Sequence, residues 1–460
     1  MLFLLLPALY YYAFLITGAG STGLFRPVTY GLTFNSMLLH LLAGRFDVDP
    51  AAIGIEGFVR DGAVYAYFGI FPALFRVLFL PLPDFATTDF TRLGCLVAVF
   101  TMALSKSLCV LLIWRKADAS RHALLVLLLL AVILAGGAQI QFLRPSIFEE
   151  SALWAGAFAA VFVLLVLWGW TREKGFTRGL MCALATVAGL CLLTRVSTAL
   201  GLYLALGSIW LWCVWEDLRR PGRPAPTRAL MSWSLPMVIL LGFVSATAVV
   251  NHGRWGNSLM FADLSRQLVT AQFPDRLIRL QQSGDFNIVR LGYGLLYYFF
   301  PIWVLHGASG ELLWSGFVQR TLEAELPPSS FLVSDPLLVG LALYGIVQLA
   351  RRHAVPHRAP LILGAIGLAV PIVLMLTAFS MTFRYRLEFY PFLELCAFVG
   401  FWRLIMAPPR RIGIAFGAGA AASIVAAQAL WLINMLSLPG PAHKLIGAMG
   451  IVDYYRSLLH

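Results

Sequence analysis

Two carboxylates stand two residues apart in the polar stretch Gly44-Arg45-Phe46-Asp47-Val48-Asp49-Pro50. An Asp-x-Asp in an extended turn directs both side chains to one side. There Asp47 and Asp49 can share a divalent cation (Mg or Mn), or one of them can take a proton from an acceptor hydroxyl. The bland reading is a solvated loop in which Asp49 prepares the turn at Pro50. Glu56, Arg60, Asp61, Tyr65 and Tyr67 follow closely and complete a polar patch in a chain otherwise poor in charge.

A second set of residues is cationic. Arg144, Arg195, Arg254, Arg290, Arg384 and Arg386 fall at or near the ends of apolar runs, as does Glu388. Charges at a membrane boundary are costly and are usually paired or functional. A single such arginine is explained by a nearby carboxylate, Arg386 with Glu388 for instance. As a set, the guanidinium groups suit a lipid phosphate or diphosphate, which they can grip in bidentate fashion. Lys106, His40, His252 and His306 read as structural. No Ser/His/Asp set, Walker loop or Gly-rich dinucleotide turn occurs.

These residues must be positioned by membrane helices. Of the 460 residues, 60% are hydrophobic and 12% charged, and mean hydropathy is +0.81, too apolar for a soluble domain of this length. The spacing predicts an all-α polytopic membrane protein with eleven spans, at about 2–19, 93–114, 122–142, 151–170, 179–195, 196–216, 229–250, 336–350, 360–381, 388–406 and 412–436. The Leu2–Ile16 run reads as an uncleaved first span. Basic clusters occur around 115–121, 172–178, 219–228, 351–358 and 410–411. With the N-terminus inside, all of them fall on the cytoplasmic side, provided that the chain turns near Arg195.

A single membrane domain is expected over 1–460. Its long external segments are 20–92, which holds the candidate carboxylates, and 251–335, with amphipathic interfacial helices in these first and fourth external loops (34–42 and 291–300) and an apolar interfacial piece over 63–80. The tail after Pro439 is also expected outside. The net charge of +12 is spread over short loops and does not point to nucleic acid. Six cysteines in apolar runs, without a CxxC, argue against a disulfide framework or a zinc site.

With Asp47 and Asp49 after the first span, Thr194-Arg195 after a glycine-containing span, and Arg384-Tyr385 with Glu388-Phe389-Tyr390-Pro391, the chain resembles the GT-C superfamily of membrane glycosyltransferases. The run from Asp61 to Leu74 is similar to a loop of bacterial members. The resemblance implies transfer of a hexose or pentose from a polyprenyl-phosphate donor to a lipid or glycan acceptor outside the cytoplasmic membrane. It implies a general base at Asp47 or Asp49, and arginines (384, 386, 195, 144 and 254) that stabilise the departing phosphate. The acidic motif lies further from the first span than in many members, and no large soluble C-terminal domain follows.

The localisation expected is a bacterial inner membrane, with the active site facing the periplasm and a role in envelope glycan or glycolipid synthesis. The alternatives are a transporter or flippase of a lipid-linked or anionic solute, which should show paired broken helices that this sequence lacks, and a non-catalytic scaffold.

Overall fold

The computed structural model of the protein describes residues 2–18, 23–117, 122–219, 226–300, 323–324, 330–351, 354–406 and 412–436. The expected tail after Pro439, His306 and the basic pair Arg410-Arg411 lie outside the described residues.

The chain is a multi-pass helical membrane protein. Among the described residues, seven helices are long and apolar enough to cross a bilayer: Thr91–Ala117, Ala123–Ile140, Ile147–Thr171, Val196–Arg219, Ser234–Trp255, Ala359–Thr377 and Ile412–Leu432. Leu2–Ile16, Arg178–Leu192 and Pro336–Ala350 are apolar but have 15 residues each, about 23 Å of helix against a hydrocarbon core of about 30 Å. Tyr390–Met406 has 17. Helices therefore stand at all eleven expected positions, and seven of them have the length and composition of spans.

Local chemistry explains the helix boundaries. Ser146 caps Ile147–Thr171, its Oγ accepting from the Phe148 and Glu149 amides at 3.2 and 3.3 Å while its hydroxyl donates to the Glu149 carboxylate. Thr177 caps Arg178–Leu192 in the same manner. The expected break at Arg195 is present: one helix ends at Leu192 and the next begins at Val196. Small residues bring helices into backbone contact. A Cβ on Gly345 would overlap the Cys396 carbonyl, and one on Gly400 the Leu341 carbonyl, so Pro336–Ala350 and Tyr390–Met406 pack with nothing between them.

The 23–90 segment builds a small core of its own from Phe34, Met37, Leu38, Val48, Ile53, Phe68, Phe85 and Phe90, closed by Ile147. The amphipathic helix Thr33–Leu42 buries its first six residues there. The 63–80 stretch is not one interfacial piece. Phe58–Arg60 and Ala63–Tyr65 pair as an antiparallel hairpin through Asp61-Gly62, both at positive φ (50° and 77°), the geometry of a two-residue primed turn. A short helix, Phe71–Phe75, and a 3-10 turn, Arg76–Phe79, follow. Arg76 fastens this segment to the bundle. It is fully buried and grips Glu150 with both terminal nitrogens at 2.7 and 2.8 Å, while its Nε donates to Asn35 Oδ1 at 2.9 Å. Further along, Pro274–Ser283 and Leu291–Phe299 are helical.

Candidate active site

A cleft of about 200 Å³ opens where five stretches of chain meet: residues 67–70, the start of Ile147–Thr171, the break at 192–197, the end of Ser234–Trp255 with Phe261 and Ala262, and Arg384-Tyr385. Its walls are largely apolar (Phe68, Ile70, Phe148, Leu192, Val196, Val250), and three arginines, Arg195, Arg254 and Arg384, also line it. The lining comes from one end of each contributing helix. For three of these helices the other end carries a basic residue: Arg172, Arg178 and Arg219.

Close approach of the 67–70 stretch to the helix break forms the floor. The Phe71 amide donates to the Leu193 carbonyl at 2.9 Å, and a Cβ on Gly69 would overlap the carbonyl oxygens of Leu193 and Thr194. Glycine is required there by space.

Each arginine is held differently. Arg195 Nε donates to Glu388 Oε1 at 2.5 Å, and its guanidinium lies 5.1 Å from the Tyr385 ring centre. The buried Glu388 also accepts from Ser197 at 2.7 Å and Thr198 at 2.5 Å. Arg254 is 3% exposed; its Nη1 donates to the Phe68 carbonyl at 2.7 Å, and among the described residues its Nε has no acceptor. Arg384 lies over Phe148 at 4.8 Å and Tyr385 at 5.6 Å. Burial pushes the Tyr67 phenol well above its ordinary range, and the neighbouring Arg384 charge opposes that shift.

The two aspartates lie beside this cleft rather than in it. Asp47 is flanked by His40 Nδ1 at 3.1 Å and Arg45 Nη1 at 3.3 Å. Asp49 is exposed, and its amide donates to Ser36 Oγ at 2.8 Å. Phe46, next to Asp47, covers Gly253 so closely that a Cβ there would overlap its ring. That contact sets the acidic loop against the helix end bearing Asn251 and Arg254. As ligands for Mg or Mn, Asp47 and Asp49 lack support: no group of three His, Cys, Asp or Glu side chains gathers among the described residues, and a cation at Asp47 would compete with the Arg45 guanidinium.

The remaining candidates separate. Glu56 Oε2 accepts from Gln267 at 3.0 Å, and Gln267 bridges to Phe58, so the hairpin base is tied to the segment carrying Phe261. Arg60 pairs with the exposed Asp61 at 3.0 Å and donates to the Arg254 carbonyl at 3.0 Å. Tyr65 packs on Trp255, and Tyr67 lines the cleft. Arg144 lies 4.4 Å over the Phe383 ring and does not line the cleft. Arg290 is buried and donates to the carbonyls of Gly284 and Thr377 at 2.9 and 3.3 Å. Arg386 turns into the core and pairs with Asp335 at 2.7 Å, not with Glu388. Lys106 is likewise inward and pairs with Glu394 at 2.6 Å rather than reaching for the membrane edge. None of the six cysteines is in a disulfide. Sequence reasoning missed Arg76, Asn251 and Asp335. Asp335 directly before Pro336 was a helix-start signal, while nothing local marked Asn251.

Comparison with solved structures identifies the architecture. The apo form of the oligosaccharyltransferase from Archaeoglobus fulgidus aligns with 99% of this chain and 59% of its own, at 14% identity and a TM-score of 0.50. The chain is similar in fold to the aligned part of that structure. The oligosaccharyltransferase AglB from the same archaeon, in complex with an inhibitory peptide and a dolichol-phosphate, aligns at 13% identity and TM-score 0.47, covering 94% of this chain and 55% of that one. The first protein in complex with Zn and sulfate aligns at 13% and 0.48, covering 93% and 53%. The chain thus spans less than three-fifths of the length of these structures. No family model matches, and no curated protein does. The many-helix membrane architecture read from the sequence is what the chain shares with the apo structure.

Proposed function

We propose that the protein is a glycosyltransferase that moves a hexose or pentose from a polyprenyl-phosphate donor to a hydroxyl of a lipid or glycan acceptor, at the outer face of a bacterial cytoplasmic membrane. The observation that carries this reading is the convergence of Arg195, Arg254 and Arg384, far apart in sequence, on one apolar-walled cleft. The walls suit the first isoprene units of a donor, and the guanidinium groups suit its phosphate. Charge supports the outer side: three of the helices that line the cleft carry Arg172, Arg178 and Arg219 at their far ends, and basic loops tend to stay in the cytoplasm.

In this reading the acceptor oxygen attacks the anomeric carbon as its proton passes to the Asp47 carboxylate. The bond from that carbon to the phosphate oxygen breaks, and polyprenyl phosphate leaves. The charge it gains falls among the arginines, in a site where water is scarce and preorganised donors count most. Asp47 is preferred to Asp49 because His40 and Arg45 orient its carboxylate while Asp49 begins the Pro50–Ile53 turn. The acceptor would enter over Phe46, between that carboxylate and Arg254.

The test is transfer of a radiolabelled sugar from polyprenyl-phosphate hexose and pentose donors to a panel of lipid and glycan acceptors by the purified chain in liposomes. Labelled product that disappears in Arg384→Ala supports the reading. Absence of both transfer and binding of polyprenyl phosphate overturns it. Movement of intact donor across the bilayer without transfer would favour a flippase.

A further inference from the structure

The turn that carries Arg384 is held from behind. Phe383–Glu388 is a 3-10 helix, which has three residues per turn, so Tyr385 and Glu388 share one side while Arg386 points elsewhere. On the first side both residues meet Arg195. On the other, Arg386 is 1% exposed and enters a buried polar network. Its Nη2 lies 2.7 Å from Asp335 Oδ2 and 2.6 Å from Ser334 Oγ, and its Nη1 donates to Gln141 Oε1 at 2.7 Å. The Tyr390 hydroxyl donates to the same Asp335 oxygen at 3.1 Å, and the guanidinium lies 4.1 Å over the Phe331 ring. None of these partners lines the cleft.

We propose that Asp335 is a positioning residue for Arg384: by fixing Arg386 it sets the placement of the turn, and so the placement of the Arg384 guanidinium in the cleft. The proposal rests on the phosphate-site reading above. Arg384 stands two residues from Arg386 on one turn whose far end, Glu388, is fastened to Arg195, Ser197 and Thr198. The turn cannot shift without breaking a buried charge pair at one end or the other. Both ends must therefore be intact for Arg384 to keep its approach to a phosphate. The Lys106–Glu394 pair is also buried, with Glu394 on the adjoining Tyr390–Met406 helix and Lys106 on Thr91–Ala117, 5.1 Å from the Tyr390 ring; neither residue contacts Arg386 or lines the cleft, which makes the pair the control for a buried charge nearby.

The experiment titrates the full-length protein in detergent with farnesyl monophosphate, reading the Kd, for wild type, Asp335→Asn, Ser334→Ala, Glu394→Gln, Arg384→Ala and the Asp335→Asn/Arg384→Ala double variant. Asp335→Asn should weaken binding about 10- to 100-fold, the penalty expected for a misplaced contact group, with Ser334→Ala shifting it less in the same direction. Glu394→Gln should leave the Kd unchanged even where its unfolding temperature drops as much. In the Arg384→Ala background, Asp335→Asn should add almost nothing, because its effect passes through Arg384. Wild-type affinity in folded Asp335→Asn, or a full additional loss in the double variant, overturns the positioning role. If Asp335→Asn fails to fold, an unchanged Kd in Ser334→Ala overturns it. Failure of wild type to bind farnesyl monophosphate sinks the phosphate-site reading, and this proposal with it.

Discussion

Arg195 Nε and Glu388 Oε1 lie 2.5 Å apart although 193 residues separate them. The contact ties the break between two membrane helices to the turn bearing Arg384. Glu388 is 1% exposed and Arg195 20%, so the carboxylate depends on the pair more than the guanidinium does. Arg195→Ala leaves a buried carboxylate with two hydroxyl donors only and is expected to cost about 3 kcal/mol. Glu388→Gln, whose oxygen can still accept from Arg195 and Ser197 while its amide NH2 donates to the Thr198 hydroxyl, is expected to cost less. Unfolding of both variants in detergent checks the order; equal losses would mean that the pair is not what holds the break.

Gly69→Ala tests the seat of the 67–70 stretch. Its new methyl would overlap two carbonyl oxygens, so the stretch must move off the helix break, and a loss of about 1–3 kcal/mol is expected as for other overpacked sites. Gly179→Ala, in a helix with open space at the Cβ position, should be neutral or mildly stabilising. Thermal unfolding of the two variants side by side separates crowding from the generic effect of losing a glycine.

The helices were legible because a span is a local property: some 20 apolar residues suffice to mark one, and basic loops fixed the parity that demanded a turn at Arg195. The arginines of the cleft were legible for the same reason, since charge at the end of an apolar run stands out. What was not legible was their company. Arg386 was read with Glu388 because they are neighbours in sequence, yet a 3-10 turn points them to different sides, one toward Asp335 and one toward Arg195. The Asp61-Gly62 hairpin was legible in principle, since Asp-Gly between strand-like residues is a strong turn signal, but the apolar run after it drew the reading toward an interfacial piece. Arg76 gave no warning, because its partner Glu150 is 74 residues away.

Asp47→Asn and Asp49→Asn divide the acid–base proposal from the binding proposal. Loss of the general base should slow sugar transfer by about 100- to 10,000-fold while leaving the affinity for polyprenyl phosphate near wild type. Asp49→Asn should have the smaller effect. Assay of transfer beside a binding titration distinguishes the two quantities, and normal transfer in both variants removes the carboxylates from the chemistry.

Tyr67 links the cleft to alkaline stability. Burial favours the neutral phenol in the folded state, so its folded pKa stands above the unfolded value of 10.0. From pH 10.0 upward the unfolded chain holds fewer protons than the folded one, and stability must fall as pH rises. Below that pH the contribution is fully present. Tyr67→Phe removes one such group, so its unfolding midpoint should decline less steeply than that of wild type on the alkaline side. Parallel declines would mean that the phenol ionises as freely folded as unfolded.

Arg76 and Glu150 pose the opposite question, whether a buried pair stabilises or merely specifies. Both side chains are fully buried, and the guanidinium meets the carboxylate through two contacts while Asn35 takes its third nitrogen. Removing one partner strands a charge beneath the 23–90 segment. Glu150→Leu is therefore expected to cost about 3–5 kcal/mol and Arg76→Met a similar amount. The double variant Arg76→Met/Glu150→Leu strands neither charge and should recover much of the loss, because desolvating the pair in the native protein is itself expensive. Recovery in unfolding experiments, together with weaker phosphate binding, would show that the pair serves to seat the segment bearing Phe68 and Gly69 against the cleft rather than to hold the bundle together. A double variant as unstable as the sum of the singles would instead make the ion pair a net contributor to the fold.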